Sequence, residues 1–364
     1  MNRLILIGNG FDLAHGLKTS YKDFFVDYLK DCIKQACYSE RKYIDNRTYY
    51  EMWYDDILIK INSPLKPSSN NVSFLSHINS LETISDIIKF SSDYNVTILG
   101  RNNNKFSNNL LNECITKNWV DIERLYYEEL KKCLIQYNKD KDYNGKTPIG
   151  NLVHLNNQLD FIKDKLKEYL TKVQPEGVQR IDEIEKIIYN SHPVTNTPNK
   201  ILFLNFNYTN IAEKYVKTIT ADLINIHGQL LDIFNEIIFG YGDEVDKNYK
   251  EIEDLNENEF FKHIKSFDYF KTSNYKNLLR FINDDLFEVF VMGHSCGLSD
   301  RTLLNSIFED KNCQSIKIFD YRKDPNNYRD KTYEISRHFR DKESMRRKIV
   351  ELEKCSPMPQ HDDK

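Results

Sequence analysis

Four short runs of apolar residues limit what this chain can fold into more than any other feature. They are LILIG (4–8), ILFLNF (201–206), EVFVMG (288–293) and SIKIFDY (315–321). The apolar residues are nearly continuous and alternate little. That pattern suits strands covered on both faces, as in a parallel sheet. Two weaker runs, LINIHG (223–228) and EIIFGYG (236–242), lie between them. Helical patterns separate several of the runs, so the expected class is α/β, with a mostly parallel sheet and helices on both of its faces.

The helices announce themselves by caps and stripes. Ser20 with Asp23 reads as a capping box. Tyr21, Phe24, Phe25, Tyr28, Leu29, Cys32 and Ile33 then follow a 3.6-residue period. Ala212, Tyr215, Val216 and Ile219 form a second stripe after Thr209 or Asn210, and Leu303, Leu304, Ile307 and Phe308 a third after Ser299. Residues 31–199 lack strong strand runs and are rich in Lys, Asn, Asp and Tyr. They read as a large, mainly helical insertion, with loop material at 63–71 and 139–151. The expected division is therefore an α/β core from 1–30 plus 200–330, the insertion, a C-terminal helix over 331–354 and a disordered tail over 355–364.

Composition narrows the partners. The 364 residues carry a formal net charge of -4 from 51 basic and 55 acidic side chains. No global basic excess points to nucleic acid as an obligatory partner, though a local patch is compatible with the numbers. Seven scattered Cys without a C-x-x-C pair argue against a disulfide framework or a zinc site, and for a reducing, cytoplasmic setting. No segment approaches the roughly 20 apolar residues of a membrane span.

Polar residues gather where the apolar runs end. After the first run, Gly8, Asn9, Gly10, Phe11 and Asp12 form a glycine turn in which backbone amides can hold phosphate. A tight strand-to-helix turn is the alternative. The third glycine is Gly16, which departs from the dinucleotide fingerprint, and no acid closes a second strand about 20 residues on. His15 can equally decorate a helix C-terminus. Asn205 and Asn207 end the second run, and Asn207 sits where a parallel sheet meets its ligand. His227 closes LINIHG and can serve as a general base when neutral. GHSCGLSD (293–300) ends another run. It has the look of a nucleophile elbow, but the downstream His are only His338 and His361, so a polar ligand-binding loop with Gly293, Ser295 and Asp300 is the better reading. Asp300 can also be the first-turn acid of a helix capped by Ser299. In NWVDIE (118–123), Asp121 and Glu123 read as first-turn acids and Trp119 as a core anchor.

Taken in order, ILIGNGFDLAHGLKTSYKDF, NWVDIE, FNYT, HG and GHSCGLSD resemble the AbiH family of bacterial abortive-infection proteins. Membership implies phage defence in which an infected cell is shut down before phage is released. A more distant likeness is to the sirtuin-like NAD-cleaving domains of defence systems, and it implies a Rossmann-like fold. By that likeness Gly8 to Asp12 are the NAD loop, Asn207 and Tyr208 the Asn-Tyr motif, His227 the catalytic His, and Gly293, Ser295 and Asp300 the ribose-side loop. Thr209 stands where those domains usually have Asp, the loop is G-N-G-F-D in place of G-A-G-x-S, and there is no four-cysteine zinc module. The likeness thus implies an NAD hydrolase acting at the nicotinamide–ribose bond, with NAD as substrate, no metal and no required cofactor. A nuclease or nucleotidase on the same fold, and a nucleotide-sensing module without turnover, are the alternatives. A phage-derived trigger and a homo-oligomer are the further partners to expect.

Overall fold

In a computed structural model, the chain is described at all residues except 40–41, 46–47, 51, 65–71, 102–104, 118–120, 145–148, 174–176, 190–196, 217–220, 322–323 and 362–364. Ten strands run through the described residues: β1 (Asn2–Ile7), β2 (Lys42–Asp45), β3 (Thr48–Tyr50), β4 (Met52–Asp55), β5 (Ile59–Ser63), β6 (Thr97–Gly100), β7 (Ile201–Asn205), β8 (Asp222–Asn225), β9 (Phe287–Met292) and β10 (Cys313–Phe319). They divide between two compact units, one of Met1–Thr19 with Leu170–Lys364, the other of Ser20–Tyr169.

The first unit is built on a five-stranded sheet of order β10-β9-β1-β7-β8. Every pairing in it is parallel. Counting these strands one to five along the chain, the order is 5-4-1-2-3, the arrangement of a dinucleotide-binding sheet. The chain builds outward from β1 to one side and then to the other, so the order reverses beside β1, between β1 and β9.

The apolar runs are continuous because both sheet faces are covered. Leu4, Leu6, Leu204, Val289, Val291, Ile316 and Ile318 pack with Leu278, Phe281, Leu303, Ile307 and Ile335 on one face. Ile5, Ile7, Phe203, Phe290 and Met292 pack with Phe11, Ala14, Ile184, Ile188, Ile211 and Tyr215 on the other. Successive strand residues thus serve opposite cores, each side chain gaining about 1.5–3 kcal/mol from burial. A charge inside β1 is tolerated because it is matched in register. Arg3 is fully buried beside its β9 neighbour Glu288, with nitrogen–oxygen distances of 2.7 and 2.9 Å. Its guanidinium also lies 4.3 Å from the centroid of Phe290.

Two runs behave differently from expectation. LINIHG contributes only Asp222–Asn225 to the sheet. EIIFGYG forms no strand and makes a single bridge, Tyr241 to Ile264. Its backbone groups are instead taken up one at a time by separate segments, Ile238 N–H by the His227 carbonyl and Tyr241 N–H by that of His263, and its glycines allow the close approach. A Cβ on Gly240 would lie 2.1 Å from the His263 carbonyl oxygen, and one on Gly242 would lie 3.0 Å from that of Ser299. The segment is threaded between two others, with Lys265 N–H donating to the Tyr241 carbonyl and Gly242 N–H to that of Ser299.

After β10 the chain forms helices Asn327–Arg337 and Lys342–Lys348 where one C-terminal helix is expected. Of the tail expected to be disordered (355–364), residues 362–364 lie outside the described residues, while Pro357 bridges Asp320 just past the end of β10. Cys355 and Met358 are buried, and Met358 N–H donates to the Asp320 carbonyl at 2.9 Å.

The second unit contains the expected capping box at Ser20 and Asp23, which opens the helix Tyr21–Tyr38. Its long helices are Ile122–Asn144 and Gly150–Val173, the latter continuing beyond Tyr169. It also holds an antiparallel β4-β5-β6 sheet and a β2-β3 pair. Trp119 lies outside the described residues. Asp121 caps the helix that follows, its Oδ1 accepting from Arg124 N–H at 2.9 Å, and Glu123 is buried.

Candidate functional site

The glycine turn after β1 owes its composition to packing. Gly8 has extended backbone angles that any residue adopts, with φ at -131°. A Cβ there would stand 2.5 Å from the Cα of His294, and one on Gly10 would stand 2.9 Å from the Cα of Gly293. Gly293, at φ +79°, faces the turn in return, and its Cβ would meet Phe11 N at 2.1 Å. The turns that follow β1 and β9 are pressed together backbone to backbone. The amides are used in the contact. Gly10 N–H donates to the Gly293 carbonyl at 2.9 Å, Phe11 N–H to that of Gly8 at 2.8 Å, and Gly8 N–H points to that of Met292 at 3.4 Å. The phosphate-holding role expected of Gly8, Gly10 and Phe11 therefore meets amides already engaged, and Gly293 is a packing residue too. The Asn9 side chain is likewise turned inward, its Nδ2 donating to Thr19. His15 is buried, its ring nitrogens 2.7 Å from the Phe11 carbonyl and 2.7 Å from the Tyr215 hydroxyl.

Beside this turn, β1 and β7 are tied by a buried carboxyl. Asp12 Oδ1 accepts from Asn207 Nδ2 at 2.8 Å, and its Oδ2 from the Thr209 hydroxyl at 2.7 Å. The same Asn207 Nδ2 donates to the Gly8 carbonyl at 3.0 Å. Both amide hydrogens of Asn207 are thereby spent, which leaves its amide oxygen as an acceptor. Burial pushes the Asp12 carboxyl up to about 7 against the pull of these donors. Asn205 explains its own place in the core by reaching Asn225 Oδ1 at 2.8 Å and the Asn207 carbonyl at 3.1 Å. Tyr208, expected to touch a ligand, is buried with its hydroxyl 3.1 Å from the Ile238 carbonyl.

The chemistry gathers one step further on, where β8 and β9 end. His227 and Asp300, 73 residues apart in sequence, meet with Nε2 and Oδ1 at 3.1 Å. Lys265 Nζ lies 2.9 Å from the same oxygen, and His294 Nε2 lies 3.6 Å from Oδ2. Phe206 sits between the imidazoles, its ring centroid 5.1 Å from that of His227 and 4.1 Å from that of His294. Tyr269 stacks on His227 and brings its hydroxyl within 3.3 Å of Nε2. The group is buried, with Lys265 at 1% and His227 at 4% exposure.

Its electrostatics fix the proton positions. Burial alone would raise the Asp300 carboxyl, but the Lys265 ammonium and the neighbouring imidazoles outweigh it and hold the group well below the usual carboxylate range. An ionised carboxylate only accepts, so His227 carries its proton on Nε2 and keeps the lone pair on Nδ1. Burial, reinforced by Lys265, lowers His227 to about 4, so the ring is neutral at pH 7. His294 is set in the same tautomer from the other side, because Cys296 N–H donates to its Nδ1 at 3.0 Å.

The loop Gly293–Asp300 therefore divides by role. Asp300 is engaged by Lys265 and two imidazoles, not free for a ribose, and its side chain caps no helix. Ser295 is exposed. Cys296 holds a left-handed φ of +57°, and burial pushes its thiol up to about 12, which leaves it unreactive. His338, met in the sequence only as one of two His downstream of the elbow-like pattern, returns to this loop and meets the Cys296 carbonyl at 2.8 Å.

The family model described as Bacteriophage abortive infection AbiH matches residues 4–321. The chain belongs to the AbiH family. No curated protein matches it. The AbiH match reaches every strand of the parallel sheet, β1 from Leu4 on, and takes in every residue of the His227–Asp300 cluster. Among the described residues of this AbiH protein no helix is long and apolar enough to cross a membrane.

Proposed function

We propose that this AbiH chain is an abortive-infection effector that hydrolyses NAD at its nicotinamide–ribose bond. The observation that carries the reading is the His227–Asp300 pair at the carboxyl ends of a parallel sheet, next to the point where strand order reverses. In such sheets ligands collect at that point. In the reaction the bond from ribose C1′ to the pyridinium nitrogen breaks, and nicotinamide leaves with the bonding pair. A water oxygen forms the new bond to C1′, and its proton passes to His227 Nδ1. Asp300 holds the ring in the tautomer that presents this lone pair and stabilises the imidazolium as it forms. A general base matched to the working pH contributes about 10²–10⁴-fold to rate; at about 4, His227 is a weaker base, always in its accepting form at pH 7, and its contribution lies toward the low end. Asn207, pinned by Gly8 and Asp12, offers its amide oxygen to a ribose hydroxyl. Substrate phosphates are met at the rim by Ser295 and by solvent, since the amides of Gly8, Gly10 and Phe11 are engaged. The setting is the cytoplasm, where a phage-derived trigger raises a basal activity that overproduced or purified protein already shows.

The test is made in cells. Induced wild-type protein should collapse the NAD pool before growth stops, and His227→Ala and Asn207→Ala, expressed to the same level, should leave it intact. Growth arrest by the wild-type protein with NAD unchanged sinks the proposal. Arrest with cleaved tRNA and intact NAD would transfer the site to a nuclease.

A further inference from the structure

Lys265 has no part in the reading above beyond being close to Asp300, and no local pattern in the sequence marks it. Its side chain is 1% exposed. A cation so deep is costly unless paired. The chain goes to some length to place it. Lys265 N–H donates to the Tyr241 carbonyl at 3.0 Å, and Tyr241 N–H to that of His263 at 3.0 Å. Gly242 then locks the same segment to the Ser299 carbonyl at 2.8 Å, immediately before Asp300. The segment 241–242 is thus bonded to the backbone at Lys265 and next to Asp300, and the ammonium and the carboxylate meet at 2.9 Å.

We propose that Lys265 is a positioning residue for His227. Its ammonium balances Asp300 so that the imidazole stays neutral, with the proton on Nε2 and the lone pair on Nδ1. Its role in turnover rests on the NAD-hydrolase reading; its effect on the imidazole does not. Without the ammonium, Asp300 would face His227 and His294 as a bare buried anion, and the nearest remedy is to draw a proton onto His227. Among the described groups that act on His227, Asp300 favours the imidazolium, Lys265 and His294 oppose it, and the Tyr269 hydroxyl lies beside Nε2; Lys331 acts on His294 from the far side. Burial and Lys265 hold His227 at about 4. Removing the ammonium moves it upward, so the base is lost by protonation at a higher pH than in the wild type.

The experiment reads the imidazole directly and turnover beside it. ¹⁵N-imidazole NMR of the full wild-type chain should show His227 as the neutral Nε2–H tautomer from pH 8 down to pH 5.5. In Lys265→Met the same ring should become imidazolium over that range. If its value returns to the ordinary histidine range, NAD hydrolysis at pH 5.5 falls about tenfold relative to pH 8, while Lys265→Arg keeps the flat wild-type profile. A wild-type His227 that is Nδ1–H or charged at pH 7 overturns the proposal even if no variant folds, as does an unchanged ring in folded Lys265→Met. If the NMR behaves as expected and NAD is not consumed, the positioning role stands and the NAD reading fails.

Discussion

Gly16 and Gly293 have nearly the same backbone angle, with φ at +80° and +79°, and opposite surroundings. Nothing lies within 4 Å of a Cβ on Gly16, whereas one on Gly293 would sit 2.1 Å from Phe11 N. Alanine at either site pays the left-handed penalty of about 1–2 kcal/mol. Only Gly293→Ala adds crowding, so urea unfolding should show it about 1–3 kcal/mol less stable than Gly16→Ala. Equal losses would mean that the two turns are not in contact. Asp12 carries a second residue-scale prediction. Its folded value is raised to about 7, so the stability it lends is greatest below the ordinary carboxylate range and is lost as pH rises towards 7. Asp12→Asn removes this titration. The melting temperature of the wild type, relative to Asp12→Asn, should therefore fall between pH 5 and pH 8, and a constant difference would contradict the raised value.

At the scale of elements, the free edge of β10 is closed by chain that lies beyond the family match. Val350 N–H donates to the Ile316 carbonyl at 3.0 Å, and Met358 N–H to that of Asp320 at 2.9 Å. A protein ending at Lys348 loses both bonds and the burial of Cys355 and Met358. It should be about 2–4 kcal/mol less stable and should associate through the bared strand, as sedimentation would show. An unchanged monomer of equal stability would show the segment to be ornamental. These elements also show which parts of the fold could be read from the sequence. β1, β7, β9 and β10 were legible because burial on both faces writes an unbroken apolar run. EIIFGYG has the same composition, but its glycines are demanded by segments around 263 and 299, which no local window reveals. The strands β2 to β6 are three to five residues long, too short to stand out from helical surroundings. At the site, His227, Asn207 and Asp300 were visible because each ends or follows a strand. Lys265 and His338 were not, because a buried Lys or His differs from an exposed one only by a partner 35 or 42 residues away. The glycines of the first turn were visible for the wrong reason: the signature of a ligand cradle and that of two backbones in contact are the same residue type.

Over the whole molecule, Gly8, Asn207, His227 and Asp300 come from four separate stretches of chain, and the parallel sheet is what delivers their ends to one edge. The AbiH match spans 4–321 and so crosses both compact units. The reaction proposed for this edge is NAD cleavage with His227 as the base. The most direct measurement is nicotinamide release from NAD by purified full-length protein at pH 7.5, compared with His227→Ala and Asn207→Ala of proven fold. Nicotinamide and ADP-ribose should appear in equal amounts from the wild type, with a loss of about 100-fold or more in His227→Ala. NAD left untouched by protein that still protects cells from phage, or cleaved equally well by His227→Ala, would contradict it.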